Sequence, residues 1–371
     1  MRGNTLNQLV VELGERSYPI IIENKGLNRI GGLFLEREIG KRVVVISDNI
    51  VAGLYAETAI DHLEWAGFEV TLLTFPAGEK SKNLKTVDRL FEQMISAKID
   101  RRSTVVAFGG GVVGDVAGFV AATYLRSIQL VQIPTTLLSQ TDSSVGGKVG
   151  VNHRLGKNMI GAIYQPKFVL IDPLVLRTLE SREVFSGLGE VLKYGLIWDR
   201  QFFYEIGEKI CQNQNRLDVE SIEQLIQPCC RIKAAVVASD EKEWGLRRIL
   251  NFGHTIGHAL EAVTNYKYFR HGEAVLLGMK AMLYLSFRRH LLDESAFASA
   301  TKILNLIPVP KIPRVLTSDK ILDQLQVDKK NVAGKIVAIL LDGIGRAMIE
   351  EDCSKAQISE AVNYLLEKYQ E

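Results

Sequence analysis

The chain has 371 residues, of which 47% are hydrophobic and 24% charged, with a formal net charge of +2. That balance is ordinary for a globular protein and gives no sign of a nucleic-acid surface or a polybasic membrane patch, and the length suits two domains with separate cores. Four cysteines (Cys211, Cys229, Cys230, Cys353) in no C-x-x-C spacing, and an N-terminus without an apolar h-region, give the expectation of a protein of the reduced cytoplasm, neither exported nor membrane-spanning.

The β-branched run Arg42–Ser47 predicts a strand followed by a helix over about 51–66, and Val70–Phe75 a second strand with a helix over 81–96. Strands follow at Thr104–Phe108, Gln129–Ile133 and Phe168–Ile171. Apolar runs alternating with amphipathic helices predict a largely parallel sheet covered on both faces. From Asp172-Pro173 helical patterns take over, at 202–211, 221–239, 273–288 and 295–304, until Pro308, Pro310 and Pro313. Residues 335–341 read as a lone short strand, and a terminal helix starts at Ser354, where Gln357 completes a capping box. The change of texture divides the chain into an α/β domain, 1–177, and a helical domain, 178–371.

Gly109-Gly110-Gly111-Val112-Val113-Gly114-Asp115 leaves a strand and enters a helix, the context in which a glycine turn lets backbone N–H groups approach a pyrophosphate. The acidic residue expected about 20 positions later to hold a ribose is missing, since Ser127–Pro134 contains no carboxylate. Asp48 and Glu79 are the alternatives, unless both are solvated loop carboxylates. Thr135–Lys148 is a second polar glycine segment. Its Gly147-Lys148 is not a nucleoside-triphosphate loop, because Asp142 replaces the required glycine and Val149 the Ser or Thr, yet a lysine on a glycine hinge remains an anion ligand.

Further on, Glu190 and Lys193 stand three apart on one helical face, a spacing that also fits a plain surface ion pair. His254 and His258 lie one helical turn apart, and His271 opens another helix. Two histidines and a carboxylate make a common catalytic zinc set, and an ordinary core histidine is the alternative. Thr255 stands where a protease HExxH motif would carry its Glu, which excludes that motif. Arg126, Lys148, Lys193, Lys233, Arg247 and the Lys329-Lys330 pair are the basic residues near these motifs; in a nearly neutral chain they point to a small anionic substrate bearing phosphate or carboxylate.

The ordered set Gly109–Asp115, Pro134–Leu138, Asp142–Lys148, Lys157–Ala162, Gly189–Gly195 and Asn251–His254 resembles the 3-dehydroquinate synthase family of the sugar-phosphate cyclases, over nearly the whole chain. The resemblance implies a Rossmann-like N-terminal domain and an all-α C-terminal metal-binding domain, with NAD and a divalent metal, zinc or else cobalt, in the cleft between them. It implies Glu190, His254 and His271 as metal ligands. Asp48, Glu79, Lys80, Gly110, Gly111, Val112, Asp115, Thr135, Thr136, Asp142, Lys148, Lys157, Thr178 and Glu183 would surround NAD. Arg126, Lys148, Asn158, Lys193, Lys233, Arg247, Asn251 and His258 would bind substrate or handle its protons, joined by one of Lys329 and Lys330. The implied reaction is the shikimate-pathway step of aromatic amino acid biosynthesis from 3-deoxy-D-arabino-heptulosonate 7-phosphate to 3-dehydroquinate and phosphate, in a homodimer. Another sugar-phosphate cyclase and a metal-dependent polyol dehydrogenase are the alternatives. The chain departs from the family pattern at Ser127, where glycine is usual, at Val149, where threonine is usual, and at Glu180, near a usual proline.

Overall fold

The computed structural model describes residues 7–212, 218–326 and 336–371. The Lys329-Lys330 pair therefore lies outside the described residues. Contacts divide the chain into two units, the first built from residues up to Leu179 together with Ile226–Lys242, the second from Glu180–Leu225 and Glu243–Glu371.

Among the described residues, nine strands belong to the first unit. They are β1 (Asn7–Val11), β2 (Tyr18–Ile22), β3 (Arg42–Asp48), β4 (Glu69–Phe75), β5 (Thr104–Gly109), β6 (Gln129–Pro134), β7 (Lys148–His153), β8 (Gly156–Ile163) and β9 (Val169–Ile171). Seven form one sheet in the order β1-β2-β9-β6-β5-β3-β4, parallel except for the β1–β2 pair. Because side chains alternate along a strand, Val44, Ile46, Val105 and Ala107 enter one core with Leu90, Val116 and Val120, while Val43, Val45, Val106 and Phe108 enter another with Phe34 and Leu63. Both faces are thus covered, which is why these strands read as continuous apolar runs. The remaining two strands, β7 and β8, pair as an antiparallel hairpin.

Residues 226–242, the later part of the helix Val219–Ser239 and its exit, group with this unit although a linear partition puts them in the helical half. Polar contacts tie it there: Lys233 Nζ donates to the backbone oxygen and to Oδ1 of Asp142, both at 2.6 Å, and Cys230 Sγ donates to the Gln140 carbonyl at 3.2 Å.

The second unit is mainly helical, with long helices at Ser181–Trp198, His254–Val263, His271–Arg288 and Lys355–Tyr369. The expected strand at 335–341 appears as β10 (Ile336–Leu341), and it is not alone: β11 (Ala347–Cys353) pairs with it. The Ser354–Gln357 capping box forms as expected. The helices Ser181–Trp198 and His271–Arg288 meet where Gly272 faces Ser186: a Cβ on Gly272 would fall 1.8 Å from the Ser186 carbonyl oxygen, and the Gly272 N–H donates to Ser186 Oγ. Arg182 clasps the same junction by donating to both carboxylate oxygens of Glu273 at 2.6 and 2.8 Å. This contact sets the register of Glu190 on one helix against His271 on the other.

Candidate active site

In the first unit, Gly110 caps the helix Gly111–Thr123 with extended backbone and no capping side chain. The first N–H groups of that helix therefore have no intrahelical or side-chain acceptor, the usual design for holding an anion. A Cβ on Gly110 would meet Thr136 Cγ2 at 3.0 Å, and one on Gly111 would meet Ser143 Oγ at 3.1 Å. Val112 follows in the same turn. Beside them, Thr136 is engaged with Ser139, whereas the buried Thr135 Oγ1 has no hydrogen-bond partner.

The charged residues of this unit are largely paired with each other. Asp115 contacts the Lys82 ammonium, which also donates to Asn158 Oδ1 at 2.5 Å. Burial pushes the Asp115 carboxyl upward, opposed by Lys82. Glu79 accepts from Asn152 at 2.8 Å and lies 3.8 Å from Lys157. Asp142 is held by Lys233. Asp48 caps the next helix, accepting through Oδ1 from the Ile50 and Val51 N–H groups. Thr178 is bonded to the Tyr55 hydroxyl at 2.7 Å. Lys148 is exposed at the start of β7, and Arg126 is exposed within three consecutive left-handed residues, Leu125, Arg126 and Ser127, at φ 49°, 68° and 101°.

Lys82 is absent from the sequence-derived set, which instead contains Lys80. Lys80 is exposed, while Lys82 is 5% exposed. The 3-10 turn Glu79–Ser81 turns the chain between them.

The second unit gathers Glu190, Lys193, His254, His258 and His271. The imidazole centroids of the three histidines lie 5.3 to 5.8 Å apart. Glu190 is fully buried, its Oε1 standing 3.5 Å from His254 Nε2 and 3.7 Å from His271 Nε2. The Lys193 ammonium contacts Oε2, yet neither carboxylate oxygen has a hydrogen bond of acceptable geometry.

A carboxylate so deeply buried demands compensation by charge. One donor atom from each of Glu190, His254 and His271 lies within 4.8 Å of the others, and tetrahedral zinc with bonds of about 2.0–2.1 Å holds its donors about 3.3 Å apart. The set fits such an ion. Burial, then Lys193 and the two neighbouring histidines, holds the His254 imidazole well below its usual range, in the neutral form that ligates metal.

Among the other second-unit candidates, Arg247 is 1% exposed and Asn251 donates to Glu243 at 2.8 Å, while His258 within the cluster is exposed. Glu183 pairs with Arg270 at 2.9 Å.

Residues 72–186 match the family described as 3-dehydroquinate synthase N-terminal, and residues 187–331 its C-terminal counterpart. A 3-dehydroquinate synthase of Desulforamulus reducens is 46% identical over 354 residues, which cover 95% of this chain and 98% of that protein. Among solved structures, 2-deoxy-scyllo-inosose synthase complexed with carbaglucose-6-phosphate, NAD+ and Co2+ superposes with a TM-score of 0.87 at 29% identity, covering 96% of this chain and 99% of that one. The 2-epi-5-epi-valiolone synthase of Streptomyces hygroscopicus, with NAD+ and Zn2+ bound, gives 0.84 at 28% identity, covering 97% and 99%. With the glycine turn and the imidazole–carboxylate cluster described above, these matches mean that the chain belongs to the 3-dehydroquinate synthase family.

Proposed function

We propose that this chain converts 3-deoxy-D-arabino-heptulosonate 7-phosphate to 3-dehydroquinate and phosphate, as a carbon–oxygen lyase of the cytoplasm acting as a homodimer. The observation that carries the reading is Glu190: a fully buried carboxylate facing two imidazole Nε2 atoms and an ammonium, with no hydrogen bond to either oxygen. Membership of the family supports the substrate, and no described helix is long and apolar enough to cross a membrane.

Glu190, His254 and His271 would hold a divalent cation, zinc or cobalt, as found in the two solved relatives. The Gly110-Gly111-Val112 turn would hold the pyrophosphate of NAD, with Asp48, Glu79, Lys80, Asp115, Thr135, Thr136, Asp142, Lys148, Lys157, Thr178 and Glu183 as its surroundings. When bound, the dinucleotide accepts and returns a hydride, and the cation makes a coordinated hydroxyl more acidic.

The remaining work falls to the chain's own groups. Lys193 and Arg247, both almost fully buried, present positive charge in a medium where it is strongly felt, which favours departure of a phosphate dianion. Oxidation of the neighbouring hydroxyl to a ketone acidifies the adjacent C–H; loss of that proton and of the C–O electron pair with phosphate completes the elimination. Arg126, Lys148, Asn158, Lys233 and Asn251 orient the sugar phosphate. His258, exposed and one turn from His254, carries protons between solvent and substrate.

The two solved relatives are cyclases of other sugar phosphates, so a different sugar phosphate is the second reading. The test incubates metal-free protein with the heptulosonate phosphate and with those relatives' substrate classes, adding NAD+ and Zn2+ singly and together. Phosphate release only with both additions, and fastest from the heptulosonate, is the expected result; release without either, or preference for another sugar phosphate, contradicts it.

A further inference from the structure

Glu261 belongs neither to the proposed metal ligands nor to the residues that would hold NAD or substrate. It lies seven residues after His254 and three after His258 on the same helix, so all three side chains share a face. Glu261 is 3% exposed, and a carboxylate at that depth needs a donor. Its Oε2 stands 3.2 Å from His271 Nδ1.

A carboxylate oxygen at this distance is placed to accept from Nδ1 of His271, and in a neutral ring protonated there Nε2 keeps its lone pair. That Nε2 is the atom 3.7 Å from Glu190. His254 is arranged alike with a neutral acceptor, its Nδ1 lying 3.2 Å from the Phe252 carbonyl oxygen and its Nε2 3.5 Å from Glu190. The His271 side chain is 29% exposed against 12% for His254, so packing alone constrains its ring less.

Resting on the metal reading of Glu190, His254 and His271, we propose that Glu261 is a positioning residue that fixes the tautomer and ring orientation of His271 and strengthens its Nε2 as a ligand to the divalent cation. Outer carboxylates of this kind change metal affinity by about tenfold to a hundredfold when removed. His258, Glu261 and His271 also offer three donor atoms within 4.8 Å of one another, a set that draws on the same imidazole. A second cation there is the competing outcome.

The test measures Zn2+ affinity and stoichiometry of metal-free protein against a chromophoric chelator, for the parent, Glu261→Gln, Glu261→Ala and Glu190→Ala, with the melting temperature of each apoprotein. The parent is expected to bind one zinc, and Glu190→Ala none. Glu261→Gln, which keeps the shape and an acceptor without the charge, should bind about tenfold more weakly while melting like the parent, and Glu261→Ala about a hundredfold more weakly. Unchanged affinity in Glu261→Gln, a second zinc lost in that variant, or a Glu261→Gln apoprotein that fails to fold overturns the proposal. A parent without Glu190-dependent zinc binding overturns the metal reading and this proposal with it.

Discussion

At the start of the helix Gly111–Thr123 the groups on offer to a ligand are backbone N–H donors, and the nearby carboxylates are already engaged, Asp115 with Lys82 and Asp142 with Lys233. At Glu190 the donors are side chains, converging on a carboxylate that nothing in its own unit satisfies by hydrogen bonding. A site made of backbone is damaged by adding atoms, whereas one made of side chains is damaged by taking them away. Metal binding and dinucleotide binding should therefore fail separately.

The largest effect belongs to the side-chain region. His271→Ala or Glu190→Ala should lose bound metal and slow phosphate release by about a thousandfold or more, the several kcal/mol that a Lewis acid supplies. Full activity with a full complement of metal in either variant would break the contrast.

Next comes the backbone region. Gly110→Val places a branched side chain 3.0 Å or less from Thr136 and should weaken NAD+ binding by about tenfold to a hundredfold, the worth of one or two charge-assisted hydrogen bonds, with zinc affinity unchanged. Calorimetric titration with each ligand separates the two, and a parallel loss of zinc would show that the regions are not independent.

Buried lysines sharpen the same comparison. Lys82 and Lys233 in the first unit and Lys193 in the second pair with carboxylates, but Lys280, 3% exposed, lies 4.3 Å from the centre of the Tyr369 ring. Burial, aided by Lys311, lowers its ammonium to about 8. Between that value and the ordinary lysine range near 10.4 the unfolded chain holds a proton that the folded chain has lost, so this group makes stability rise with pH across the window. Lys280→Met should stabilise the protein by on the order of 2 kcal/mol at pH 7 and flatten that rise, as read by denaturant unfolding at pH 7 to 10. An unchanged pH profile would mean that the Tyr369 ring fully compensates the charge.

The smallest effect concerns Ser127, whose φ of 101° lies in a region that suits glycine. Ser127→Gly should raise stability by about 1 kcal/mol in the same unfolding assay. A loss instead would mean that the serine side chain holds the Arg126 turn together.

Much of this architecture is legible in the sequence where one local signal decides it. Runs rich in β-branched residues mark β3 and β5, because strands covered on both faces need no alternation. His254 and His258 declared themselves by spacing. The β7–β8 hairpin did not, since Gly150 and Gly161 interrupt its pattern exactly where the two strands face each other, and β11 is masked by Glu350, Glu351 and Asp352. Residues 226–242 belong to the sheet-bearing unit through long-range contacts such as Lys233 with Asp142, a pairing across 91 positions that no local pattern encodes. The burial of Lys82 beside Asp115 has no local signal, since the turn at Glu79–Ser81 is what sets it apart from the exposed Lys80. Glu261 could have been found, as it continues the His254–His258 face at the next helical turn.

The most direct measurement follows phosphate and NADH together in one reaction of the metal-loaded protein with NAD+ and the heptulosonate phosphate. A dinucleotide that lends a hydride and recovers it predicts many phosphates released per chain with no net NADH. One NADH accumulating for each substrate consumed would make the chain a dehydrogenase and contradict the cyclase reaction.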